Sequence, residues 1–101
     1  MPISGDLYPF TEENVNKSPD QPGVYALYQN AELTYYGMSQ TSVRSRLQRH
    51  HAGAEGPCTK AATHYRREIT TAAEAPRREQ ELLLEYQRLH GRLPRCNDRT
   101  G

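Results

Sequence analysis

Two short runs, Gly23-Val24-Tyr25-Ala26-Leu27-Tyr28-Gln29 and Leu33-Thr34-Tyr35-Tyr36-Gly37-Met38, constrain the fold of this chain most. Both are rich in residues that favour strands, and only Asn30-Ala31-Glu32 separates them, which predicts a β-hairpin. With those three residues as the loop, Gln29 pairs with Leu33 and Leu27 lies opposite Tyr35. Tyr25, Leu27, Leu33 and Tyr35 then share one face, with Tyr25 and Tyr35 as diagonal neighbours roughly 7–8 Å apart. A two-residue loop would put the two tyrosines on opposite faces.

The flanking sequence predicts helices. Thr11 can cap a short helix that has Glu12 and Glu13 in its first turn. The run from Ser18 to Gly23, with Pro19 and Pro22, then ends any helix. Ser39 to Ser42 offers caps for a helix over about 42–51, on which Val43 and Leu47 form the inward stripe and Arg46 and His50 lie side by side. Residues 52–57 read as a loop. His64 to Ile69 alternates in the manner of a third strand, although a helix also fits. Pro76 opens a further helix to about His90, closed by Gly91, with Leu82, Leu83, Tyr86 and Leu89 as its apolar stripe. The order gives a small α+β domain: a three-stranded antiparallel sheet flanked by helices, over 23–101, preceded by an adapter segment over 1–22.

Only 15 of 101 residues are Val, Ile, Leu or Phe, against seven Tyr and no Trp. Such a chain supports one small, half-polar core, and excludes two domains or a large cofactor-binding fold. No window is apolar enough to span a bilayer, and the first ten residues lack the features of a secretory signal. A cytoplasmic location is expected, with Cys58 and Cys96 as free thiols. A zinc site is not expected, because Cys58, His64 and Cys96 lack the close spacing of structural zinc ligands.

The net charge of +1 conceals an asymmetry. Residues 1–42 carry −4, whereas residues 43–101 hold all eleven arginines and carry +5. Arg outnumbers Lys eleven to two, and the planar guanidinium fork suits phosphate better than an ammonium does. Composition alone fits a solvated helix surface equally well.

Motif order adds to this. Gly23-Val24-Tyr25 and Tyr35-Tyr36-Gly37 resemble the paired signature of the GIY-YIG nuclease superfamily, with Gly23 and Gly37 as its glycines and Val24 and Tyr36 as variants. Arg46 follows nine residues after Gly37, and His50 lies one turn beyond, as in restriction-type members. The segment Leu82 to Asn97 resembles the corresponding stretch of excision-repair nuclease subunits: Glu85, Pro94 nine residues on, and Asn97 twelve residues on. Met38 departs from the Lys that many members carry there. Arg44 or Arg49 could replace Arg46, and Glu81 is the rival to Glu85.

The resemblance implies a metal-dependent endonuclease that hydrolyses phosphodiester bonds in DNA, or in RNA. Glu85 would hold one Mg²⁺ or Mn²⁺, since such hard cations need few protein carboxylates and keep most of their waters. Tyr25, with Tyr35 nearby, would activate the attacking water, although a tyrosine with an ordinary pKa of about 10 needs help to act as a base near neutrality. Arg46 would stabilise the phosphate, and His50 would contact it or share the base role. Asn97 would position Glu85 or the backbone. Each residue alone also fits a structural role: half-buried sheet tyrosines, a solvated Arg–His face, a surface carboxylate, a turn asparagine. The competing reading is a catalytically weak nucleic-acid-binding module with the same fold. Because the chain leaves no room for an appended recognition domain, it would be either a standalone, weakly specific nuclease or one targeted by a separate protein, and double-strand cutting would need a homodimer or sequential nicks.

Overall fold

Residues 2–97 are described by the computed structural model. In chain order they form β1 (Tyr8–Pro9), α1 (Glu12–Asn16), β2 (Gly23–Gln29), β3 (Glu32–Ser39), α2 (Val43–His51), α3 (Pro57–Lys60), β4 (His64–Ile69) and α4 (Glu74–His90). The α+β class is as expected, but the antiparallel sheet has four strands, in the order β1-β4-β2-β3, rather than three. The extra strand is two residues long and includes a proline. That is too short to leave a periodic signal in sequence.

The hairpin reaches its register by an unexpected route. Gln29 pairs with Glu32 around a two-residue turn, and Asn30 takes the left-handed conformation at φ 57°. Asparagine is among the few residues that adopt it readily. A bulge then absorbs Thr34, because Tyr28 faces Leu33 while Leu27 faces Tyr35. The short turn shifts the register by one residue and the bulge shifts it back. Leu27 thus lies opposite Tyr35 as expected, whereas Leu33 moves to the other face of the sheet.

Each face carries its own core. Tyr25, Leu27 and Tyr65 pack with Phe10 and with Val15, Val43 and Leu47 from α1 and α2. On the opposite face Val24, Ala26 and Tyr36 pack with Ile3 and with Leu82 of α4. The N-terminal segment, expected as an adapter, supplies β1, α1 and the buried Ile3, Phe10 and Val15. Of the stripe expected on α4, Leu82 is buried but Leu89 is exposed.

Caps explain the helix starts. The side chain of Thr11 accepts from the backbone N–H of Asn14, and that of Ser42 accepts from Ser45. Gly91 ends α4 in the left-handed conformation at φ 74°. Cys58 and Cys96, expected as free thiols, form a disulfide that ties α3 to the C-terminal tail. The tail also lies along the edge of β3: the Cys96 N–H donates to the Thr34 carbonyl at 2.8 Å.

Candidate active site

Tyr25, Tyr35 and His50 meet where β2, β3 and α2 converge. Their ring centroids are 5.1 to 6.2 Å apart. The short turn and bulge put both tyrosines on the α2 face, and the i, i+4 spacing on α2 brings His50 over them beside Arg46. Gly37 makes room for this packing. A Cβ there would come within 2.5 Å of Cζ and Oη of Tyr25 and 2.7 Å of the Tyr35 ring, so the Tyr25 phenol lies directly against the bare backbone. At Gly23 a Cβ would collide with the Glu68 carbonyl of the adjacent β4, which makes that glycine a requirement of strand packing.

Tyr25 and His50 are almost fully enclosed. The Tyr25 hydroxyl lies 2.8 Å from Nε2 of His50, and Nδ1 of His50 lies 2.8 Å from the hydroxyl of Thr59 on α3. Sequence reasoning missed Thr59; a lone threonine in a four-residue helix gives no periodic signal. Burial, reinforced by the cationic Arg46, pushes His50 down to about 4, so the imidazole is neutral near pH 7. Burial and the neighbouring Tyr35 push the Tyr25 phenol far above its ordinary range, opposed by Arg46. Tyr35 is only half buried.

The three arginines of α2 separate cleanly. Arg44 donates to the Ser18 carbonyl, and Arg49 pairs with Glu55 at 2.7 Å. Arg46 acts on Tyr25 and His50, and among the described residues its buried Nε finds no hydrogen-bond partner. Several other arginines that could have met a substrate backbone are engaged within the fold: Arg66 with Tyr28, Arg78 with Glu68 and Glu81, and Arg95 with Gln29 and Glu32.

The carboxylates on α4 divide between the two sides of the molecule. Glu85 lines an apolar groove with Leu33, Tyr36 and Tyr86, and its field acts on Tyr36. Glu81 is exposed and paired with Arg78 at 2.9 Å. On α4, Glu79 is the carboxylate that feels the charge of Arg46 and whose field reaches Tyr25; away from α4, Glu55 does the same. Six residues on a helix turn through about 240°, so Glu79 and Glu85 leave α4 on different sides. Burial holds the Glu79 carboxyl above the usual carboxylate range, against the pull of Arg46. A signal for Glu79 was present: it lies three residues before Leu82 and four before Leu83, where the apolar stripe of α4 would continue. A charged residue on such a stripe marks either a buried ion pair or a site.

Asn97 lies away from the ring cluster, at the backbone of Tyr36. It accepts from the Tyr36 N–H at 2.8 Å and donates to the Tyr36 carbonyl at 2.9 Å, binding the middle of the signature tripeptide from outside.

A small antiparallel sheet with an Arg–His helix over a tyrosine pair defines a nuclease-like α+β domain. The model of the GIY-YIG catalytic domain matches residues 21–92, so the chain belongs to the GIY-YIG family. Among solved structures it is similar to the GIY-YIG N-terminal endonuclease domain of UvrC from Thermotoga maritima, a point mutant bound to its catalytic divalent cation. That match has a TM-score of 0.65 at 20% identity, covering 86% of this chain and 93% of that one. At this identity the likeness establishes the fold. No curated protein matches in sequence.

Proposed function

We propose that this chain is a metal-dependent endonuclease that hydrolyses phosphodiester bonds in DNA, with Glu79 in the metal-holding role that the sequence assigned to Glu85. The observation that carries this reading is the packing of Tyr25, Tyr35 and His50 together beside Gly37, with Arg46 and, from α4, Glu79 acting on that cluster through their charge. No cluster of three or more His, Cys, Asp or Glu residues among the described ones could hold a metal. A single carboxylate with the ion's own waters is the arrangement that suits Mg²⁺ or Mn²⁺. Glu79 fits it, being partly desolvated and ionisable beside Arg46. When bound, the ion supplies charge neutralisation at the phosphate and at the leaving oxygen.

The chain's own groups divide the remaining work. Burial and Tyr35 both oppose ionisation of Tyr25, so Tyr25 stays a phenol and Tyr35, the half-exposed ring, faces the attacking water. Neutral His50 is hydrogen-bonded to the Tyr25 hydroxyl and so holds the phenol behind Tyr35. Arg46 presents its guanidinium to the phosphate, where a planar fork stabilises the charge that develops in the transition state. Asn97 fixes the backbone between Tyr35 and Gly37, and so the aim of Tyr35.

We place the protein in the cytoplasm. No helix among the described residues is long and apolar enough to cross a membrane. The C-terminal tail is held by the Cys58–Cys96 disulfide together with the Cys96 N–H and Asn97. The protein's proposed partners are a separate targeting protein or, for double-strand cutting, a second copy of the chain.

Nicking of supercoiled plasmid in Mg²⁺ or Mn²⁺ tests the reading. Glu79→Gln should lower the rate by about 100-fold, and Glu85→Gln should leave it within a few-fold of wild type. The reverse order would return the metal to Glu85. Salt-sensitive DNA binding without nicking by the wild type would favour the binding module instead.

A further inference from the structure

Thr59 is a buried polar group hydrogen-bonded to His50 that takes no part in the proposed chemistry. Only 2% of Thr59 and 1% of His50 is exposed, and the hydroxyl is 2.8 Å from Nδ1. A neutral imidazole has one donor and one acceptor nitrogen, and its surroundings decide which is which. If Nε2 carried the proton it would donate to Tyr25, and the Tyr25 O–H would be left in a closed interior without an acceptor. His50 is the hydrogen-bond partner of that hydroxyl among the described residues. A buried donor left unmatched forfeits its hydration with nothing in return. With the proton on Nδ1, the chain is satisfied. Tyr25 O–H donates to Nε2, Nδ1–H donates to Thr59, and the Thr59 O–H can turn to a carbonyl one turn back in its own segment, as helical threonines do.

We infer that Thr59 is a positioning residue that fixes His50 in the tautomer protonated at Nδ1, so that bare Nε2 accepts from Tyr25. The inference builds on the proposed nuclease reading, but its structural half stands without it. Thr59 occupies a four-residue helix, and the residue before it, Cys58, is anchored through Cys96 to the tail on β3. The tail and the hydrogen-bonded chain are therefore mechanically joined.

Nitrogen-15 NMR of histidine-labelled protein, with His50 assigned from the signal lost in His50→Gln, reads the tautomer directly. Wild type should show Nδ1 in the protonated range and Nε2 in the bare range; the opposite pattern overturns the inference, whatever the variants do. Thr59→Val should move His50 toward the tautomer protonated at Nε2, and Thr59→Ser should restore the wild-type spectrum. Unchanged shifts in Thr59→Val would also overturn it. In the plasmid assay Thr59→Val should lose about 10- to 100-fold in rate, recovered by Thr59→Ser and absent in a His50→Gln background. If the wild type shows the expected tautomer but never nicks DNA, the nuclease reading fails and the role of Thr59 in orienting His50 stands.

Discussion

The chemistry of the cluster rests on what two residues are denied. His50 is denied solvent and held neutral; Gly37 is denied a side chain so that a phenol can lie against its backbone. The first has a consequence for stability. The pKa of His50 falls from its ordinary value to about 4 on folding, so between those two limits the unfolded chain binds more protons than the folded one. His50 therefore costs nothing above its unfolded pKa, and stability is lost as pH drops toward 4. The full loss is roughly 3 kcal/mol. Urea titrations from pH 7 to pH 4 should show this slope, and His50→Gln should flatten it. For the second, Gly37→Ala should displace the Tyr25 ring. We expect a loss of about 1–3 kcal/mol in the urea midpoint and about 100-fold in nicking. A Gly37→Ala protein that nicks normally would show that the phenol can be moved without consequence.

At the level of elements, what the sequence revealed depended on periodicity. The α2 helix could be read because Val43 and Leu47 repeat at helical spacing and Ser42 can cap it; β2 and β3 could be read from their β-formers. The expected pairing of Leu27 with Tyr35 arises from two compensating features, a turn one residue shorter and a bulge at Thr34. No sequence rule locates a bulge whose extra residue is a threonine. Glu85 illustrates a different limit. Motif spacing selected it by distance to Pro94 and Asn97, but α4 runs to His90 and rotates that position to the Tyr36 face. The helix phase set by Leu82 and Leu83 points instead to Glu79, the residue proposed to hold the metal, because burial of that stripe fixes which side of α4 meets the sheet. Thr59 and β1 had no such signal. Both are positioned by contacts from distant parts of the chain.

The whole molecule is a thin core held by a few long-range ties. The disulfide spans 38 residues of sequence and joins α3 to the tail. Removing a cross-link of that span frees conformations of the unfolded chain, for a cost of about 2–4 kcal/mol. Cys58→Ser/Cys96→Ser should show this as a lower urea midpoint, and dithiothreitol should reproduce it in the wild type. An unchanged midpoint under both treatments would mean that the hydrogen bonds of Cys96 and Asn97 hold the tail unaided.

Asn97 and Cys96 have one more consequence, for assembly. An exposed outer strand invites a second chain to continue the sheet, and β3 is such a strand over Glu32–Ser39. The chain's own tail already occupies the middle of that edge, meeting the backbone at Thr34 and at both polar groups of Tyr36. The other border, β1, offers only two residues, one of them a proline that cannot donate. Growth by strand addition is therefore blocked at both ends of the sheet, and two copies meeting on one duplex would have to join through their helices.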